Sequence, residues 1–255
     1  MMNIEKFVNS KFYRVFEWFY RLVFLNLLTL IVSLSLAAIP FLLHYYVNND
    51  GILVIIGIIL FIILFIPACL AAFIVIKHYL EDQMGNVFVL YFRYFIDTIK
   101  RIYVIELIIL PFFFFCLYSL WFYGSYLDSE GFIYDFYGIF SIVSFVFVFF
   151  IIVLVILLYI NLMLILAYFR MKTFAYLRLA FRFSMIYMGQ TIIYSLILLI
   201  PFGLLNFFIM EFRPLYFIIG ISLPQFIIAL VSRNKFNYLA RNLEVLKNRN
   251  MEVEI

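Results

Sequence analysis

Charge is scarce in this sequence. Only 13% of its 255 residues are Asp, Glu, Lys or Arg, against about 25% in soluble domains. Histidine is scarcer still: there are two, His44 and His78. They fall near opposite ends of their apolar stretches, levels separated by a hydrocarbon core of roughly 30 Å, which excludes a shared metal or catalytic base. The two cysteines, Cys69 and Cys116, lie inside apolar segments and form no C-x-x-C. They read as small buried hydrophobes, not as a disulfide framework or a zinc site. The chain also lacks H-E-x-x-H, a Walker glycine loop, G-x-S-x-G and an acidic cluster suited to Mg²⁺ beside a phosphate. Neither an enzyme nor a bound cofactor or metal is expected.

What is present is apolar. Hydrophobic residues make up 68% of the chain, with 35 Phe and 20 Tyr, and the mean hydropathy is +1.16. A soluble chain of this length could not bury so much apolar surface, whereas lipid solvates it. A bilayer core needs about 20 mostly apolar residues per helix. Six runs qualify: about 21–46, 51–76, 103–122, 139–168, 191–210 and 216–231. They must be helices, because backbone groups in hydrocarbon have to pair within the segment, and the runs lack the alternation of barrel strands. The expected fold is an all-α polytopic bundle, one transmembrane domain over 1–240 with a short polar tail over 241–255. Ser35-Leu36-Ala37 loosely fits a signal-peptidase site, but the apolar run around it exceeds a signal core of roughly 7–15 residues, so an uncleaved anchor is expected.

The basic residues orient the bundle. Lys6, Lys11, Arg14 and Arg21 precede the first run. Lys77, Arg93, Lys100 and Arg101 lie in the second connection, and Arg170, Lys172, Arg178 and Arg182 in the fourth. Arg233, Lys235, Arg241, Lys247 and Arg249 occupy the tail, which leaves Arg213 as the one base on the other side. Basic segments stay cytosolic, giving an N-in/C-in topology. The bases flank apolar spans and form no free patch, so nucleic acid is not an expected partner. Anionic headgroups at the cytosolic face are.

Two cytosolic connections resemble helices lying in the membrane interface. Over 85–101, Arg93, Asp97 and Arg101 recur every four residues on one helical face, amid Phe88, Tyr91, Phe92, Tyr94 and Phe95. In the fourth connection Arg178 and Arg182 sit at i, i+4 amid Phe174, Tyr176, Phe181 and Phe183. Tyr91-Phe92-Arg93-Tyr94-Phe95 precedes a span reaching Pro111-Phe112, and Ala180-Phe181-Arg182-Phe183 precedes one reaching Pro201-Phe202. This parallel order is either an internal repeat, common in transporters, or chance likeness in a biased composition. The outer stretch from Trp121 to Gly138, with Asp128, Glu130 and Asp135, reads as an aromatic belt or a ligand-docking loop.

Within the spans, Glu106 is the one acid well inside. It is either a proton- or cation-coupling group or, little more than a turn from Arg101 and near the cytosolic headgroups, an acid that snorkels or pairs with a base. Asn26, Asn161 and Asn206 are expected to bond across helices, with Asn161 and Asn206 as further candidates for a polar transport site. Pro40, Pro67, Pro111, Pro201 and Pro224 are expected to bend or break five of the six spans.

Asn26-Leu27-Leu28-Thr29-Leu30-Ile31, then Pro67-Ala68-Cys69-Leu70-Ala71-Ala72-Phe73, then Tyr91 to Lys100 together resemble the YesL-like integral membrane proteins of bacteria, over about Phe12 to Arg241. The sequence departs from that pattern in separating Pro40 from Pro67 by a hairpin and a full apolar run. The resemblance implies a multi-pass protein of the bacterial plasma membrane associated with carbohydrate uptake. It supplies no catalytic residues. Two functions follow as expectations: an accessory or regulatory component working with sugar-transporter subunits, or a small secondary transporter or channel with a polar cavity near Glu106.

Overall fold

The computed structural model describes residues 11–47, 51–81, 83, 85–127, 136–171, 173–203 and 213–253. Every regular element among them is a helix: α1 Lys11–Val47, α2 Gly51–Leu80, α3 Val87–Leu127, α4 Phe136–Tyr168, α5 Thr173–Ile186, α6 Met188–Gly203, α7 Arg213–Ile219 and α8 Ser222–Val253. Four stretches, in α1 to α4, are long and apolar enough to cross a bilayer, and α5 with α6 makes a fifth if that bent pair is one span. The protein is an all-helical chain with several membrane-type helices.

Its residue distribution is inverted relative to a water-soluble bundle. On α1, Asn26, Thr29 and Ser33 are wholly enclosed, while Leu27, Ile31 and Leu34 face outward. On α4, Phe140, Val143, Phe147 and Phe150 form an exposed stripe, and Asn161 is enclosed. Contiguous exposed apolar surface of this extent marks a membrane-facing side. The polar groups turn inward because only other helices offer them hydrogen-bond partners.

The chain forms two compact units: Met1–Lys100 with Leu196–Ile255, and Arg101–Ser195. In the first, α1 packs along α2 and against α7 and α8, and α2 also packs on α8. The most enclosed part of α2 is Ala68 with Leu70 to Phe73; its alanines bring neighbouring backbones close. At one end of this unit the Arg21 guanidinium lies 4.0 Å from the Tyr79 ring centre and pairs with Glu17. Trp18 packs on Phe226 at 4.7 Å, tying α1 to α8. In the second unit, Tyr176, Ala180 and Ser184 form the enclosed stripe of α5, the face that meets α4.

Several expectations are modified. The 85–101 segment is no separate interfacial helix. It is the start of α3, a continuous helix of 41 residues, about 60 Å long. Tyr91 and Thr98 are enclosed, so one face of that segment packs inward. The proposed parallel order therefore takes two backbone forms: an unbroken run through α3, and a bend of 99° between α5 and α6. The sixth run is interrupted between α7 and α8, and the helix that follows continues to Val253, through most of the supposed tail. Of the fifth run, α6 describes residues up to Gly203.

The prolines do not make the breaks. Pro40, Pro67, Pro111 and Pro201 all sit inside their helices. Pro224 stands in the first turn of α8, where a missing N–H costs nothing. The interruptions fall at Tyr187 and at Gly220-Ile221. A Cβ added at Gly220 would lie 2.7 Å from the Tyr216 carbonyl oxygen and would also strike the Tyr216 ring. Backbone contact that close leaves no room for a side chain.

Replacing Gly220 by Ala is expected to destabilise the protein by about 1–3 kcal/mol, the usual cost of overpacking. Gly189→Ala is the control: a Cβ there meets nothing within 4 Å, and helix propensity favours Ala by at most about 1 kcal/mol. Melting temperatures in detergent micelles check this; equal melting of the two variants contradicts it.

Candidate functional site: two braced helix breaks and their unpaired polar atoms

A helix interrupted in an apolar setting leaves backbone donors and acceptors that water would otherwise satisfy. In the first unit Asn26 supplies the substitutes. Its Nδ2 donates to the Phe217 carbonyl at 2.6 Å and the Tyr216 carbonyl at 3.2 Å. Its Oδ1 accepts from the Ile221 and Ser222 N–H groups at 2.8 and 3.1 Å. In an unbroken helix the Ile221 N–H would bond to the Phe217 carbonyl. The Asn26 amide stands between them and bonds to both, the side-chain insertion that kinks helices.

Asn161 braces the second unit in another way. Its Nδ2 donates to Ser184 Oγ and Thr191 Oγ1, both at 2.9 Å, and lies 3.2 Å from the Leu157 carbonyl. Ser184 precedes the bend at Tyr187 and Thr191 follows it. Both hydroxyls donate to backbone carbonyls, Ser184 to Ala180 and Thr191 to Tyr187. They are therefore left as acceptors, which fixes the amide nitrogen toward them.

Further polar groups surround the first break. Gln225 Nε2 donates to the Cys69 carbonyl at 3.0 Å, joining α8 to α2. Two enclosed atoms of α8, Ser222 Oγ and Gln225 Oε1, have no hydrogen-bond partner among the described residues, and their residues are 1% and 2% exposed. Tyr91, also in this unit and 0% exposed, turns its hydroxyl to the Thr29 side chain. In the second unit the Glu106 Oε1 and the Tyr159 hydroxyl are likewise enclosed and unpartnered. Glu106 is 6% exposed, and its carboxyl acts electrostatically on the Tyr159 phenol. Burial is the one influence resolved on Glu106 itself, and no described base forms an ion pair with it.

The sequence-derived candidates therefore separate. Glu106 and Asn161 both fall in the second unit. Tyr159, on which the Glu106 carboxyl acts electrostatically, and Asn161 are two residues apart on α4, roughly 200° around its axis. Asn206 lies outside the described residues, as do Asp128, Glu130 and Asp135. Arg93 is exposed on α3, where Asp97 and Arg101 follow at one-turn intervals. Arg178 and Arg182 are exposed on α5 together with Phe174 and Phe181. Cys69 and Cys116 are free thiols, and no group of three or more His, Cys, Asp or Glu comes together among the described residues. Tyr91, Ser222 and Gln225 carry no charge and do not stand out in the charge pattern of the sequence. The pair Ser222 and Gln225, at i, i+3 in an apolar run, is the signal that marks them.

The two braces differ in weight. Asn26 holds four backbone groups, and at about 0.6 kcal/mol per membrane hydrogen bond Asn26→Ala is expected to cost about 2 kcal/mol or more. Asn161 has two protons to share, and the hydroxyls it meets keep their own bonds, so Asn161→Ala is expected to cost about 1 kcal/mol. Reversible unfolding in mixed micelles gives the order; an Asn161 variant weaker than the Asn26 variant reverses it.

Compared with known proteins, the chain matches no family model, no curated protein and no solved structure.

Proposed function

We propose that the protein is a small secondary transporter in the bacterial plasma membrane, crossing it six times with both ends in the cytosol. The sidedness of the basic residues supports the topology. The 99° bend supports α5 as an interfacial helix: with α6 along the membrane normal, α5 lies nearly in the membrane plane. The observation that carries the transport reading is Glu106, an acid enclosed in a membrane-type helix with one carboxyl oxygen unpaired and the Tyr159 hydroxyl in electrostatic range. An unpaired buried carboxylate is costly in its charged form, so taking up and releasing a proton is the chemistry such a group offers. Interrupted helices, here at Tyr187 and Gly220-Ile221, are where many transporters build their sites.

The second reading is the accessory or regulatory component that the resemblance to YesL-like proteins implies, working with sugar-transporter subunits. The face of α5 that combines exposed Phe174 and Phe181 with Arg178 and Arg182 favours it, because that face suits either acidic headgroups or a partner's helix. Neither reading assigns an enzymatic step.

Proteoliposomes holding only this protein decide between them. With a trapped pH dye and an imposed proton gradient, one or more of a set of sugars, amino acids and amphiphiles is expected to evoke proton movement. Glu106→Gln is expected to abolish it. No movement for any solute, together with co-purification of transporter subunits from native membranes, favours the accessory reading instead. Reporter fusions are expected to find both termini cytosolic; an exported terminus overturns the topology.

A further inference from the structure

One surface of the second unit carries charge of a single sign. The stretch that holds α5 has four bases, Arg170, Lys172, Arg178 and Arg182, and the sequence has no acid between Asp135 and Glu211. Among the described residues no ion pair involves Arg178 or Arg182. Both are exposed, as is Arg170. A cationic surface without compensating carboxylates attracts anions.

The α5 helix adds apolar surface to that charge. It turns Tyr176, Ala180 and Ser184 inward, and its opposite side exposes Phe174, Phe181, Met185 and Ile186. At about 100° per residue, these four and the two arginines share one arc of about 140°. The guanidiniums therefore stand among the apolar groups and not on a separate polar face. Arg178 and Arg182 are about one turn apart, roughly 5–6 Å between Cβ atoms, close enough to grip one phosphate together. The bend of 99° lays this helix across the direction of α6.

The mixture of groups defines the occupant. A free phosphate would satisfy the arginines and leave the apolar groups in water. A partner's helix would cover the apolar groups but desolvate both guanidiniums, which then require buried carboxylates in register. An anionic phospholipid supplies both halves in one molecule: a phosphate for the guanidiniums and an acyl chain for the apolar groups. Helices that combine arginines with exposed Phe settle at the boundary between headgroups and chains.

We propose that the exposed face of α5 docks an anionic phospholipid, with its phosphate held jointly by Arg178 and Arg182 and its chain against Phe174, Phe181 and Met185. The docking holds under either reading of function, because its test reads lipid binding and not flux.

Purified protein in uncharged detergent micelles is titrated with phosphatidylglycerol or phosphatidylcholine, and bound lipid is measured by native mass spectrometry. Phosphatidylglycerol is expected to bind roughly tenfold or more tightly than phosphatidylcholine, whose choline offsets the phosphate charge. Inorganic phosphate at equal concentration is expected not to displace it. Each base near an anionic lipid surface contributes about fivefold in affinity. The double variant Arg178→Gln/Arg182→Gln is therefore expected to weaken phosphatidylglycerol binding about 25-fold. Arg178→Lys/Arg182→Lys keeps the charge and loses the planar fork, so it is expected to fall between. Both side chains are exposed, so the melting temperature without lipid is expected to stay the same. Arg93→Gln, with Asp97 one turn further on, is the control and is expected to keep the original affinity. Equal affinity for the two lipids, displacement by phosphate, or an equal loss in Arg93→Gln overturns the proposal. So does unaltered affinity in the double Gln variant; if that variant also loses a protein that co-purifies from native membranes, the face belongs to a partner's helix.

Discussion

Hydrogen bonding without water governs this molecule. A backbone crossing hydrocarbon must satisfy itself, and a helix does so at every residue until it is interrupted. Each interruption here coincides with an asparagine from another helix. Asn26 takes the place of the lost turn directly, accepting from the N–H groups of Ile221 and Ser222 and donating to the carbonyls of Tyr216 and Phe217. Asn161 works one step removed, through the hydroxyls of Ser184 and Thr191. An amide suits both tasks because it offers donors and an acceptor and carries no charge to desolvate.

The same constraint explains which features were legible in the sequence. Lipid demands long apolar helices, so their existence follows from composition and run length. Asn26 and Asn161 were recognised as cross-helix bonds because an amide in hydrocarbon has few alternatives. The breaks were not legible. The partner that permits the one at Gly220-Ile221 comes from a helix 195 residues away, and the chain just before it, from Leu215 to Ile219, is apolar. Prolines drew the expectation toward five other places. Four of those five lie inside continuous helices, where a proline removes one bond without ending the ladder.

Aromatic residues misled in a different manner. Tyr91 sits in a run of Tyr, Phe and Arg that fits an interfacial helix by composition, yet it is among the most enclosed side chains of the protein. Composition reports an average over a helix and cannot say which of its faces turns inward. Glu106 was legible as unusual, but its surroundings were not. Proximity to Arg101 in sequence left snorkelling, pairing with a base and proton coupling all open, and only the structure shows how far the carboxyl is enclosed.

One consequence follows from the length of α8. It runs unbroken for 32 residues from the Asn26-braced gap, a rod of about 48 Å at 1.5 Å per residue. Its side chains are enclosed as far along as Ile228, Ala229, Ser232 and Phe236, so the packed part takes up about the first 22 Å of that axis. The 17 helical residues after Phe236 carry the axis on by about 26 Å, which makes one asparagine-braced end the base of an extension longer than the part that is packed.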